Sequence, residues 1–131
     1  LGLRSNYKNI QIIILATPDQ ILNKKFFISK FDFDFVECSY PTFSINDVAA
    51  LIQQLDFIIT PDTSIVHIAS SFDIPIVSIH ENNKDSYRLW SPTSTLNKTI
   101  FAKSSYGISN FSVSDVIKSS SEILKIIELK Q

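Results

Sequence analysis

Glycine is nearly missing from this chain, methionine is missing altogether, and cysteine occurs once. Each scarcity excludes something. With Gly2 and Gly107 alone, no Gly-x-Gly-x-x-Gly turn can be written, which removes a dinucleotide-binding reading. A single cysteine, Cys38, permits no internal disulfide and fits a reducing compartment. Cys38, His67 and His80 do not fall into any recognisable metal-ligand spacing, so neither a metal nor a cofactor is expected. An excess of one charge is lacking too. Twelve Lys+Arg against thirteen Asp+Glu leave a formal charge of -1, without the broad basic surface that nucleic-acid binding requires. No apolar run approaches the roughly 18 to 20 residues of a membrane span. The longest, around residues 12 to 16, is strand-sized, and the chain reads as soluble with no transmembrane segment. Its opening, Leu1-Gly2-Leu3-Arg4, lacks an initiator methionine and a signal-peptide pattern, and reads as a fragment of a longer polypeptide.

What is present fills one core of ordinary size: 131 residues, 44% hydrophobic and 19% charged, read as a single domain over 1–131. Residues 10 to 15 form a continuous β-branched run that suits a strand covered on both faces of a parallel sheet. Thr17-Pro18-Asp19 looks like a helix start, and Ile21, Leu22 and Phe26 carry a helical period to about Lys30. Residues 33 to 38 read as a second strand. A helix follows from Ser44, which can cap it, with Asp47 in its first turn and Val48, Leu51, Ile52 and Leu55 on its apolar face. Residues 57 to 60 and 76 to 79 read as the third and fourth strands, separated by a helix over 63–72. Residues 80 to 97 show no period and read as one long loop, before a short strand at 99–102 and a C-terminal helix from a cap at Ser114. Strands alternating with helices at this spacing predict an α/β, Rossmann-like three-layer sandwich with a mainly parallel sheet. In it the strands at 10–15, 57–60 and 76–79 would be central and buried. Ligands of such sheets bind where the strands end, here at residues 16–20, 39–44, 60–64 and 80–92.

The richest of those loops is Thr60-Pro61-Asp62-Thr63-Ser64-Ile65-Val66-His67, which joins a strand directly to a helix N-terminus. Free N–H groups of Thr63, Ser64 and Ile65, with the helix dipole behind them, would suit a phosphate. Ile65, Ile68, Ala69 and Phe72 have the spacing of a core-facing stripe, which leaves Thr63 and His67 on another side. The plain alternative is that Asp62-Thr63-Ser64 only caps the helix and His67 is structural or solvated.

The ordered set from 44 to 92 resembles the C-terminal half of the family 9 glycosyltransferases, the lipopolysaccharide heptosyltransferases. It comprises Ser-Ile-Asn-Asp-Val-Ala-Ala-Leu-Ile over 44–52, then Asp56 to Thr60, Asp62-Thr63-Ser64-x-x-His67-x-Ala69, Ile74-Pro75-Ile76-Val77 and Trp90-x-Pro92. The resemblance implies the C-terminal half of a GT-B-type enzyme that binds a nucleotide sugar, ADP-heptose or a relative of it. The acceptor would be held by an N-terminal domain outside this chain. By position, Thr63, Ser64 and His67 would hold the diphosphate and Asp62 would accept hydrogen bonds from sugar hydroxyls. Phe43 would lie against the adenine, and Asp19 or Gln20 would meet the ribose. Phe43 reads equally as a core or hinge residue, and Asp19 and Gln20 as a solvated helix start. Two positions depart from the family's pattern: Ser64 stands for a usual glycine, and so does His80 at the end of the fourth strand. His80 is read as a loop histidine in water, with a ligand contact, a different sugar or a degenerate site as alternatives.

The implied reaction is inverting, metal-independent sugar transfer in lipopolysaccharide or related glycan synthesis. The expected setting is the cytoplasm, with the full enzyme peripheral at the inner membrane. The helix N-terminus would stabilise the departing diphosphate. The resemblance places the base in the N-terminal half, so no catalytic residue is assigned here and residues 1–131 alone are expected to be inactive. Two other readings stay open: another two-lobed nucleotide-sugar enzyme, such as a different glycosyltransferase or a 2-epimerase, and a non-enzymatic α/β ligand-binding or regulatory domain.

Overall fold

A computed structural model describes residues 2–31 and 33–129. The chain divides into two compact units, Leu1–Val48 and Ala49–Gln131. In the first, β1 (Ile12–Ile14) pairs in parallel with β2 (Val36–Cys38), Ile12 opposite Val36 and Ile14 opposite Cys38. The crossover between them carries α1 (Ile21–Ile28). β1 is shorter than the apolar run suggests. It pairs with β2 alone among the described residues and is half-buried throughout, so it is not the buried central strand that residues 10–15 predict. Pro18 and Asp19 lie in a turn closed by the N–H of Gln20 on the Thr17 carbonyl at 2.9 Å, which delays α1 to Ile21. Only Ile21 of that helix is buried; Leu22, Phe26 and Phe27 face outward.

α2 (Ile45–Ile52) runs from the first unit into the second. Its start is a reciprocal capping box: Ser44 Oγ accepts the Asp47 N–H at 3.1 Å, and Asp47 Oδ2 accepts the N–H groups of Phe43 and Ser44 at 2.9 and 3.0 Å. The Phe43 N–H and then Ser44 hold the Asp47 carboxyl below its ordinary range.

The second unit contains β3 (Ile58–Pro61), α3 (Ser64–Ser71), β4 (Ile76–His80), α4 (Lys84–Trp90), β5 (Asn97–Phe101) and α5 (Val113–Glu128). Its sheet has the order β3-β4-β5 and is wholly parallel. Period-two alternation sends Val77 and Ile79 of β4 to one side, where they pack with Ile100 of β5 and with Val116 and Ile123 of α5. Ile76, Ser78 and His80 point the other way and are buried as well, so β4 is covered on both faces. β3 is not: Ile58 and Thr60 are buried, whereas Ile59 is 41% exposed.

Three helices differ from the sequence reading for local reasons. α4 occupies part of what reads as a long loop. Asn83 Oδ1 caps it by accepting the N–H groups of Asp85 and Ser86, both at 3.1 Å, but none of its seven residues is buried, so no apolar period betrays it. α5 is capped by Ser112, whose Oγ accepts the Asp115 N–H at 3.2 Å, and not by Ser114. In α3 the buried side chains are Val66 and Ala69, while Ile65 and Ile68 are half-buried and Phe72 is exposed; the inward stripe is turned by one position. α3 stops without glycine. Asp73 takes φ 54°, with its N–H on the Ser70 carbonyl and the Ile74 N–H on the Ala69 carbonyl, a Schellman closure.

Candidate functional site

The carboxyl ends of β3 and β4 bring together four of the residues that the sequence marks. Asp62 follows β3 directly, and its N–H still donates to the Ile79 carbonyl at 2.9 Å, so the last sheet hydrogen bond fixes its position. Thr63 is the N-cap of α3, in extended conformation (φ -148°, ψ 175°). Its hydroxyl accepts the Ile65 N–H at 3.3 Å and its carbonyl the Val66 N–H at 3.0 Å. The capping reading is therefore correct for Thr63, and Ile65 does not offer a free N–H. The N–H groups of Thr63 and Ser64 have no partner among the described residues, and both side chains are exposed at the positive end of the helix. His67, one turn further on, is exposed and meets the edge of Trp90 from α4, with ring centroids 5.6 Å apart.

His80 is the largest departure from expectation. It is not a loop histidine in water: it ends β4, is 1% exposed, and places Nδ1 3.3 Å from Oδ2 of Asp62. The side chain lies on the Ile76-Ser78 face of β4, where the Tyr87 ring meets it edge-on at 5.2 Å. Tyr87 is itself held by its hydroxyl, 3.1 Å from Thr99 Oγ1, which lies 3.2 Å from Ser78 Oγ. Tyr87 and Trp90 are side chains that the sequence left in a loop. The signal that would have found them is Asn83 three residues before Ser86, a cap whose helix places both rings one turn apart.

Burial disfavours a charged imidazole and pushes the His80 pKa below its usual value. The Asp62 carboxylate pulls it back, by charge and by hydrogen bond, and the charge of His67 adds a smaller downward push. His80 is therefore neutral in the fold at pH 7, while the unfolded chain takes up its proton near pH 6.5. Because the unfolded state binds the proton first, this stability is complete above about pH 6.5 and is lost as pH falls from there towards the depressed folded pKa. Asp47 and Glu122 have lowered carboxyl pKa values, and stability linked to them is lost only at still lower pH. The expected result is a melting temperature that declines between pH 7.5 and 5.5, with a flatter profile in His80→Phe. Parallel profiles in the two proteins would refute the assignment.

The remaining candidates belong to the first unit. Asp19 and Gln20 are exposed beside the start of α1, Gln20 in the N-cap position without a side-chain cap hydrogen bond. Phe43 is 81% exposed, which rules out a core role in this chain.

Parallel strands alternating with helices, with a polar cluster where β3 and β4 end, define a Rossmann-like α/β protein. The family model of glycosyltransferase family 9 (heptosyltransferase) matches residues 6–112, and the chain belongs to that family. Among solved structures it is similar to the ADP-heptose LPS heptosyltransferase II of E. coli, with a TM-score of 0.69 at 13% identity over 97% of this chain. The chain spans 40% of the length of that protein. A response regulator receiver protein from Sinorhizobium medicae WSM419 matches 89% of this chain and 97% of its own at 13% identity, with a TM-score of 0.46. No curated protein matches the sequence. No helix among the described residues is long and apolar enough to cross a membrane.

Proposed function

We propose that this chain is the nucleotide-sugar-binding part of an inverting, metal-independent glycosyltransferase that takes an ADP-linked, heptose-like donor for lipopolysaccharide or a related glycan. In this reading the acceptor and the general base are supplied by an N-terminal domain, and the whole enzyme works in the cytoplasm, peripheral at the inner membrane. The observation that carries the reading is the start of α3 in a family 9 chain: two main-chain N–H groups at Thr63 and Ser64, unpartnered among the described residues, next to Asp62. These groups, the Ser64 hydroxyl and the His67 imidazole would bind the diphosphate. As the glycosidic bond breaks, negative charge grows on the leaving group, and fixed dipoles stabilise it without reorganising. Asp62 would accept hydrogen bonds from the sugar. Phe43 is proposed for the adenine, and Asp19 or Gln20 for the ribose.

Trp90 makes the test direct, because it is the sole tryptophan and its ring touches His67. ADP, UDP and GDP are titrated while its fluorescence is followed. ADP is expected to bind most tightly of the three, and EDTA to leave binding unchanged. His67→Ala is expected to weaken ADP by about 1–2 kcal/mol with little change in melting temperature, since His67 is exposed. Asp62→Ala is expected to weaken ADP-heptose more than ADP. Equal ADP affinity in wild type and His67→Ala, with a large fall in melting temperature in the variant, would make His67 structural.

A further inference from the structure

We propose that buried His80 is a positioning residue for Asp62: its Nδ1–H holds Oδ2 and leaves Oδ1 to receive a sugar hydroxyl. The proposal rests on the donor-site reading above and names what sets sugar recognition within it. Asp62 stands alone after β3, 23% exposed, and Oδ2 is its only side-chain atom engaged among the described residues. A carboxylate on a strand end rotates freely about two torsions unless a donor fixes it, and a sugar hydroxyl rewards only the correct orientation. His80 is well built for that task. It is anchored on the central strand, its ring is stacked edge-on by Tyr87, and Tyr87 is pinned through Thr99 to Ser78.

The arrangement is poor for stability, which argues against a purely structural role. Nε2 of His80 is buried without a partner among the described residues, and one hydrogen bond at 3.3 Å offsets little of the desolvation of a whole imidazole. An apolar ring of the same size would fill the space without the orphaned acceptor. The depressed pKa agrees with a neutral imidazole whose proton, facing a carboxylate, sits on Nδ1.

The experiment compares the full chain with His80→Phe, which keeps the ring and removes the donor, and His80→Asn, whose amide N–H reaches the place of Nδ1. Nitrogen-detected NMR at pH 7.5 is expected to find His80 of the wild type as the Nδ1–H tautomer. Tryptophan fluorescence then gives the ratio of ADP to ADP-heptose dissociation constants. His80→Phe is expected to reduce that ratio about tenfold, the worth of one hydrogen bond to a charged group, with an equal or higher melting temperature. His80→Asn is expected to recover most of the ratio even though its smaller side chain lowers the melting temperature. An Nε2–H tautomer, an unchanged ratio in His80→Phe, or equal weakening of both ligands with a fall in melting temperature would overturn the proposal. If ADP fails to bind the wild type, the donor-site reading itself falls and takes this one with it. ADP binding with an unaffected ratio sinks only the role of His80.

Discussion

Ile123→Ala is expected to lower the unfolding free energy by about 2–5 kcal/mol, the largest stability change predicted for this chain. Ile123 is 1% exposed and stands in α5 against Val77 and Ile79 of β4, Ile100 of β5 and Val116 of its own helix. Truncation removes transfer free energy and leaves a void that cannot close readily, because β4 is a central strand tied to neighbours on both sides. A folded domain has only about 5–15 kcal/mol in hand, so the loss is a large fraction of the whole. Urea titration followed by far-UV circular dichroism should show the midpoint fall with an unchanged slope. Leu129→Ala, at the C-cap of the same helix and 87% exposed, is the control and should move stability by less than about 0.5 kcal/mol. A loss below about 1 kcal/mol for Ile123→Ala would mean that α5 does not close the core of the second unit.

The elements were legible wherever burial imposed a pattern. Residues 76–79 read correctly as a strand because all four are buried and an apolar-rich run suits a strand covered on both faces, whereas His80, the last residue of β4, reads as loop. The same inference overreached for residues 10–15, since Ile12, Ile13 and Ile14 form an equally apolar run but are only half-buried beside one partner strand. Composition records what a strand tolerates, not how many neighbours it has. α4 leaves no apolar period for the opposite reason, being held by the Asn83 cap and by ring contacts of Tyr87 and Trp90 and not by a buried stripe.

At the site, Asp62, Thr63, Ser64 and His67 could be marked because they are contiguous and follow a strand. His80 could not be placed, because its partner is 18 positions away and the contact depends on the register that sets Pro61 opposite Ile79. A histidine closing a run of buried positions had one legible sign: it falls in phase with Ile76 and Ser78, on a face that turns out to be interior.

Ser64→Pro is expected to weaken ADP binding by about 1.5–3 kcal/mol, roughly 10- to 150-fold, while leaving the helix intact. Ser64 is the first residue of α3, and its N–H has no partner among the described residues, so proline removes no internal hydrogen bond there. The ring fits the backbone as well. Proline prefers an extended residue before it, and Thr63 is extended at φ -148° and ψ 175°. The substitution deletes one main-chain donor and one hydroxyl from the proposed diphosphate site, whereas Ser64→Ala deletes the hydroxyl alone. If the main chain meets the diphosphate, Ser64→Ala should lose less than Ser64→Pro, and both should melt within a few degrees of wild type. If the two variants bind ADP alike, the hydroxyl and not the N–H makes the contact. Wild-type affinity in Ser64→Pro would show that no phosphate sits on the start of α3, and the donor site would have to be sought elsewhere in the chain.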